Sequence, residues 1–275
     1  MNSTQATPDT SSNAPRTLEH AARAGVLRTS WRLLRLVEHL LTGTMIGLWI
    51  YLLERLGRPP AWTARAVRWW NQRLCRVLGL TLEVSGRVAP GALVVANHVS
   101  WLDVPVLGAQ GEMGFLSKSE VRRWPLIGWF AHLAGTHFIV RGANQTEQVM
   151  QGIADDLRSG RAVVIFPEGT TSDGQDVRRF HPRLFALAQI PGTRLQPVAI
   201  RYQHAEHPAP ERAAAYTGND NLALSLLRIV RHPALHVRIE CLPPLTPTPT
   251  TRRHELAEQT RTAITQSLDL HPEPA

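Results

Sequence analysis

At 275 residues and 43% hydrophobic content, the chain is long enough for one sizeable core with a helical appendage, and its length does not demand two domains. Its two cysteines, Cys75 and Cys241, lie far apart with no metal-like spacing, which argues against a disulfide framework or a zinc site and for a reducing compartment. A net charge of +8 fits nucleic acid or an anionic membrane surface, and the placement of the charge has to separate the two.

Residues 1–16 are rich in Ser, Thr, Asn, Gln and Pro without an apolar period, and read as a disordered tail rather than a secretory signal. From Leu33 the chain turns apolar. His39 to Leu53 holds no formal charge, but those 15 residues fall short of the roughly 20 that cross a bilayer, so a buried soluble helix and a membrane-embedded or re-entrant helix both remain open. After the break at Gly57 to Pro60, Trp62, Ala66, Trp69, Trp70, Leu74 and Val77 recur at helical spacing, with Arg65, Arg68, Gln72 and Arg76 on another face. Six arginines and no acid lie between Arg55 and Leu82. An apolar, Trp-bearing face beside an Arg-rich one suits the interface of an anionic bilayer, so residues 17–80 are expected to form a membrane-associated helical hairpin.

Residues 81–275 have α/β rhythm. Strands are expected at Thr81 to Val84, Ala92 to Ala96, Gly114 to Ser117, Thr136 to Val140, Ala162 to Phe166, Leu195 to Arg201 and Leu235 to Cys241. Helices are expected after Trp101, around Pro125, near Asn144, around Arg183, near Asn219 and after Thr250. Short apolar strands followed by amphipathic helices predict an α/β fold, a mostly parallel or mixed central sheet flanked by helices. The segment Gln203 to Tyr216, rich in His, Pro and Ala, reads as a loop and is a poor candidate for core.

Chemistry concentrates where strands end. In GALVVANHVSWLDVPVL, Asn97 and His98 follow the apolar run ALVVA, and open α/β sheets place ligands beyond the carboxyl ends of strands. Asp103 follows His98 by five residues, so a turn can bring its carboxylate to one ring nitrogen, fix the tautomer and stabilise the imidazolium formed when His98 removes a hydroxyl proton. Spacing alone is met as well by a structural His beside a helix-capping Asp. Ser100 is the only nearby nucleophile of note, and it lacks the nucleophile-elbow context, which favours direct attack by a substrate hydroxyl over an acyl-enzyme. Downstream, AVVIFPEGTTSDGQDVRRF runs from a strand into Glu168, Gly169 and Thr170, where Gly169 and Gly174 permit backbone paths that expose amides to an anion. Glu168 would orient a basic residue or accept a hydrogen bond from a polar head group. Arg141, in GTHFIVRG, is a candidate for bidentate binding of a phosphate or carboxylate, and Lys118 is a less specific one; a solvated surface role fits either.

The ordered blocks NHVSWLD, GTHFIVRG, FPEGT and LQPVAI, spread over about Leu80 to Ile200, resemble the glycerolipid acyltransferase superfamily, which includes bacterial lysophosphatidic acid acyltransferases. The resemblance implies His98 as general base with Asp103 as its partner. It implies acceptor-binding roles for Arg141, Glu168, Gly169 and Thr170, and an architectural role for Pro197. The acyl donor it implies is a thioester on coenzyme A or acyl carrier protein, a cosubstrate with no permanently bound cofactor and no metal. Phosphate-binding members often continue the third block with Arg, where this chain has Thr171. The extended FPEGTTSDG, RRFHPRLFALA and AYTGNDNLALSLL look more like the branch of lyso-ornithine lipid acyltransferases, with lysophosphatidic acid as the alternative acceptor. Arg178, Arg179 and Arg183 remain as head-group or surface contacts. The expected partners are a lysolipid, the acyl thioester and an anionic membrane surface, at the cytoplasmic face of a bacterial inner membrane. Nucleic acid is not expected, because no recognition motif accompanies the basic charge. A noncatalytic lipid-binding scaffold and a Ser100 hydrolase are the competing classes.

Overall fold

The computed structural model describes residues 14–139, 146–204, 207–218, 220–248 and 250–270. The chain opens with a long helix, α1 (Ala14–Arg55), which turns back into α2 (Thr63–Leu78). There follow β1 (Leu80–Ser85), β2 (Ala92–Ala96), α3 (Asp103–Gly108), β3 (Met113–Lys118), a 3-10 turn over Ser119–Arg123, α4 (Ile127–Leu133) and β4 (His137–Ile139). The second half comprises α5 (Thr146–Arg158), β5 (Ala162–Ile165), a 3-10 helix (Pro182–Gln189), β6 (Arg194–His204), β7 (His207–Pro210), α6 (Leu222–Arg231), β8 (Leu235–Cys241) and α7 (Arg253–Ser267).

The strands form one mixed sheet in the order β1-β8-β6-β2-β5-β3-β4, with β7 pairing along β6. Strands β6, β2, β5, β3 and β4 are mutually parallel, while β8 runs antiparallel to β6 and carries β1 parallel to itself. The central strands read as continuous apolar runs because both faces are covered. In β2, Ala92, Val94 and Ala96 meet one core and Leu93 and Val95 the other, as the period-2 alternation of strand side chains requires. The first core is closed by α2, α3 and α6 through Leu74, Leu78, Val106, Leu107, Ile229 and Val230. The second is closed by α5 and α7 through Ile153, Leu157, Leu256 and Ile264. The result is a three-layer sandwich, the α/β fold that the strand and helix pattern predicts.

Helix α1 is longer than its uncharged run. Residues Arg23–Arg55 form a stretch apolar and long enough to cross a membrane, judged by length and composition. The charges that precede the uncharged run are engaged with the rest of the protein. Arg32 donates to the carbonyls of Val230 (3.1 Å) and His232 (2.6 Å), Arg28 to that of Arg231 (3.3 Å), and Glu38 is paired with Arg35 and Arg73. The two arginines thus satisfy carbonyls at the carboxyl end of α6, where cations are also favoured by the helix dipole. The opposite face of α1 is exposed and apolar at Leu34, Val37, Leu41, Met45, Leu48 and Leu52. Within the segment 203–216 the expectation of a peripheral loop is corrected. Gln203 and His204 extend β6, His207–Pro210 adds an edge strand, and Ala214 and Ala215 are buried. Proline is tolerated there because an edge strand can leave one side unpaired.

Candidate active site

The site is assembled at the carboxyl ends of parallel strands. Beyond Ala96 the chain leaves the sheet, and Asn97 fixes the point of departure. Its amide nitrogen donates to the Ile200 carbonyl (2.9 Å) and its oxygen accepts the Ile200 N–H (2.8 Å), tying the end of β2 to β6. His98 follows at once, and Asp103 is the first residue of α3. The His98 Nδ1 and Asp103 Oδ2 are 2.8 Å apart. The same carboxylate oxygen accepts the backbone N–H groups of Val99 (2.8 Å) and Ser100 (3.0 Å), while Oδ1 accepts the Tyr202 hydroxyl (2.6 Å). Asp103 is completely buried, so these four donors replace water around the charge. An ionised carboxylate only accepts, so Nδ1 carries the proton and the unshared pair lies on Nε2, which makes no hydrogen bond among the described residues.

The block after β5 holds His98 from the other sides. Its backbone N–H donates to Glu168 Oε1 (2.7 Å), its carbonyl accepts from the Ser172 N–H (2.7 Å), and its ring stacks on Phe166 at 4.1 Å. Glu168 is itself buried, and its second oxygen accepts the Arg178 N–H (3.2 Å). Burial pushes the Glu168 carboxyl up to about 8, against the pull of the two amide hydrogen bonds. Its carboxyl group couples the two loops through their backbones. Gly169 adopts a φ of 67°, which a side-chain-bearing residue avoids, and Thr170 is exposed beyond it.

A third segment closes on these two. The Tyr216 N–H donates to the Val99 carbonyl (3.0 Å), and the Thr171 hydroxyl donates to the Tyr216 carbonyl. Arg228 supports the same segment by donating to the carbonyls of Ala213 and Ala215. Thr171, which stands where phosphate-binding relatives often carry Arg, is thus engaged in holding the chain at Tyr216. Of the remaining sequence candidates, Lys118 is exposed at the last position of β3, at the same sheet edge as His98, and Arg178, Arg179 and Arg183 are exposed. Arg141 lies outside the described residues.

Ser100 is fully buried and its hydroxyl has no hydrogen-bond partner, so it is not presented to a substrate. Among the described residues no group of three or more His, Cys, Asp or Glu is placed to hold a metal. Tyr202 and Tyr216 escaped the sequence reading. Tyr202 continues the alternation Val198, Ile200, Tyr202 on one face of β6, a visible signal, but its partner lies 99 residues away.

Comparison with known proteins agrees with this architecture. The family model described as acyltransferase matches residues 81–201. A lyso-ornithine lipid O-acyltransferase of Pseudomonas aeruginosa is 42% identical over 250 residues, covering 90% of this chain and 95% of the relative. A 1-acyl-sn-glycerol-3-phosphate acyltransferase of Neisseria meningitidis serogroup B is 34% identical over 64% of this chain and 70% of its own. The crystal structure of the 1-acyl-sn-glycerophosphate acyltransferase PlsC from Thermotoga maritima shares the fold, with a TM-score of 0.66 at 19% identity over 90% of this chain and 96% of that one. The chain belongs to the glycerolipid acyltransferase family, in which it is an enzyme that acylates a lysolipid.

Proposed function

We propose that the protein is an O-acyltransferase that moves a fatty acyl group from a thioester of acyl carrier protein or coenzyme A to the hydroxyl of lyso-ornithine lipid. The observation that carries the acceptor is the near full-length similarity to the Pseudomonas aeruginosa lyso-ornithine lipid O-acyltransferase. The engagement of Thr171 with Tyr216, in place of an Arg fork for a phosphate monoester, supports it. Lysophosphatidic acid is the second reading, favoured by the similarity to the Neisseria enzyme, with Arg141, Arg178, Arg179 and Arg183 as cations for its phosphate. Acyltransferases of this family need no permanently bound cofactor.

In the mechanism, His98 Nε2 accepts the proton of the acceptor hydroxyl as its oxygen attacks the thioester carbonyl. The imidazolium is stabilised across Nδ1 by Asp103, which its other three donors hold in place. The tetrahedral oxyanion collapses, the carbon–sulfur bond breaks, and the departing thiolate takes the proton back from Nε2. The products are the ester and the free thiol. Glu168 serves by fixing the His98 backbone, and Gly169 and Thr170 shape the acceptor side of the loop. The hairpin of α1 and α2 holds the enzyme on the cytoplasmic face of the inner membrane, where an amphipathic acceptor is confined.

The test compares wild type with His98→Ala, using carrier-protein and coenzyme A thioesters against lyso-ornithine lipid and lysophosphatidic acid. General-base catalysis is worth about 10²–10⁴-fold, so we expect His98→Ala to lose ornithine lipid formation by about a thousandfold while keeping its thermal unfolding transition. Selective formation of phosphatidic acid by the wild type would replace the acceptor and keep the mechanism. Wild-type turnover in His98→Ala would remove the base.

A further inference from the structure

The membrane reading rests on α1, yet a second exposed apolar site lies on the catalytic edge itself. Strand β3 ends at Lys118 on the same sheet edge as His98, and the chain passes directly into the 3-10 turn and then α4. Neither the 3-10 turn nor the start of α4 is buried: Trp124, Leu126 and Ile127 are 39%, 37% and 41% exposed, and Arg122 and Arg123 beside them are exposed too. Leu126 is held at a φ of 62°, a conformation that L residues other than Gly, Asn and Asp seldom adopt. The turn is closed from within by Gly128, where a Cβ would come within 2.2 Å of the Arg122 carbonyl oxygen. The fold therefore keeps three large apolar side chains at the surface in a built turn. Behind the turn, Trp129 and Leu133 fit against Gly47 and Phe130 against Gly43, which fastens α4 to the apolar half of α1.

We propose that the turn Arg122–Ile127 is a second membrane-contacting element, which inserts Trp124, Leu126 and Ile127 among the lipids of an anionic bilayer while Arg122 and Arg123 meet the head groups. The occupant follows from position and charge. The turn is continuous, through α4, with the helix that carries the exposed apolar face. Its two cations and a Trp match the polar and apolar sides of a lipid interface. With α1 it gives two points of attachment, one of them joined to the strand end that leads to the active site. The enzyme is thereby oriented with that edge toward the bilayer, where the acceptor hydroxyl resides. The proposal rests on the membrane association of α1.

The experiment measures flotation of the full chain with vesicles of phosphatidylethanolamine and phosphatidylglycerol, using Trp124→Glu/Ile127→Glu, Arg122→Gln/Arg123→Gln, and an α1 variant, Leu41→Glu/Met45→Glu. We expect the first to weaken partitioning by roughly tenfold, about 1.4 kcal/mol, with the unfolding transition in detergent retained. The arginine variant, which removes two charges and the contact of Arg122 over the Phe138 ring but no aliphatic side chain, should lose several-fold on these vesicles and nothing on phosphatidylcholine. Unchanged flotation of both turn variants overturns the proposal, and so does equal loss on both kinds of vesicle by the arginine variant. If the α1 variant also floats like wild type, the exposed face of α1 is not what attaches the protein and the reading on which the proposal rests fails; if only the turn variants do, α1 is the sole anchor.

Discussion

Asp103 receives four donors, and only one of them, His98, has a part in the proposed proton transfer. The Tyr202 hydroxyl is the one other side chain in that set, and burial beside Asp103 pushes its phenol well above the ordinary range, so it remains a donor at every pH at which the enzyme works. A hydrogen bond to a buried charge contributes about 1.5–3 kcal/mol. Removing it in Tyr202→Phe leaves Oδ1 of the buried Asp103 without its donor, so the carboxylate beside the His98 ring is less firmly held. We therefore expect kcat to fall by about tenfold with KM little changed. A lower melting temperature with unchanged kcat would reduce Tyr202 to a packing residue. Glu168 carries a different kind of pH dependence. Its folded-state value of about 8 exceeds the ordinary 4.5, so between those limits the native state binds the extra proton and stability falls as pH rises. Glu168→Gln keeps an acceptor for the His98 N–H and cannot ionise. It should flatten the decline of stability over that window by up to about 4 kcal/mol, as read from urea unfolding at a series of pH values. An undiminished decline would place the titration elsewhere.

Among the elements, β2 and β8 have the bounds read from sequence, Ala92–Ala96 and Leu235–Cys241: β2 is framed by Gly91 and Asn97, and β8 stops one residue short of Pro243 and Pro244. The order of strands and helices and the nearness of His98 to Asp103 were legible for the same reason: they depend on local pattern. What escaped depends on distant partners. The uncharged run from His39 to Leu53 is short by itself, and the helix continues through the charges before it: Arg28 and Arg32 meet α6, and Glu38 meets Arg35 and Arg73. Arg73 itself, expected on neither face, is buried against Glu38 and His39. Asn71 is buried too, its amide set against Gly108 of α3, where a Cβ would come within 2.4 Å. Two of the α1 glycines, Gly43 and Gly47, are where its neighbours approach. A Cβ at Gly47 would lie 2.6 Å from Trp129, and one at Gly43 would lie 2.4 Å from Trp70. Gly47→Val should therefore destabilise by about 1–3 kcal/mol through overpacking despite the better helix propensity of Val. Thermal unfolding in detergent measures this, and an unchanged or raised transition would mean that α4 is free to move away.

At the scale of the whole molecule, the hairpin is not an appendage tied on by a linker. Leu36 of α1 and Leu74, Cys75, Val77 and Leu78 of α2 belong to the same core as β2 and β6, and α2 ends in Gly79, at φ 77°, one residue before β1 begins. The family match begins at residue 81, which invites cutting the chain there to obtain a soluble enzyme. Such a cut removes at least four buried side chains from one face of the sheet. At about 1.5–3 kcal/mol for each large one, the loss of Leu74, Val77 and Leu78 alone approaches the entire stability of about 5–15 kcal/mol typical of a domain. A chain beginning at Leu80 is therefore expected to lack a cooperative thermal transition and the near-ultraviolet signal of fixed aromatic side chains. One beginning at Ala61 keeps α2 and its buried face, gives up the contacts with α1, and should unfold cooperatively at a lower temperature. If the shorter chain instead unfolds cooperatively like the full protein, the core under α2 is dispensable and the hairpin is a separable anchor. If neither chain folds, α1 is as much a part of the core as α2, and the long helix has to be regarded as a structural element before it is regarded as a membrane one.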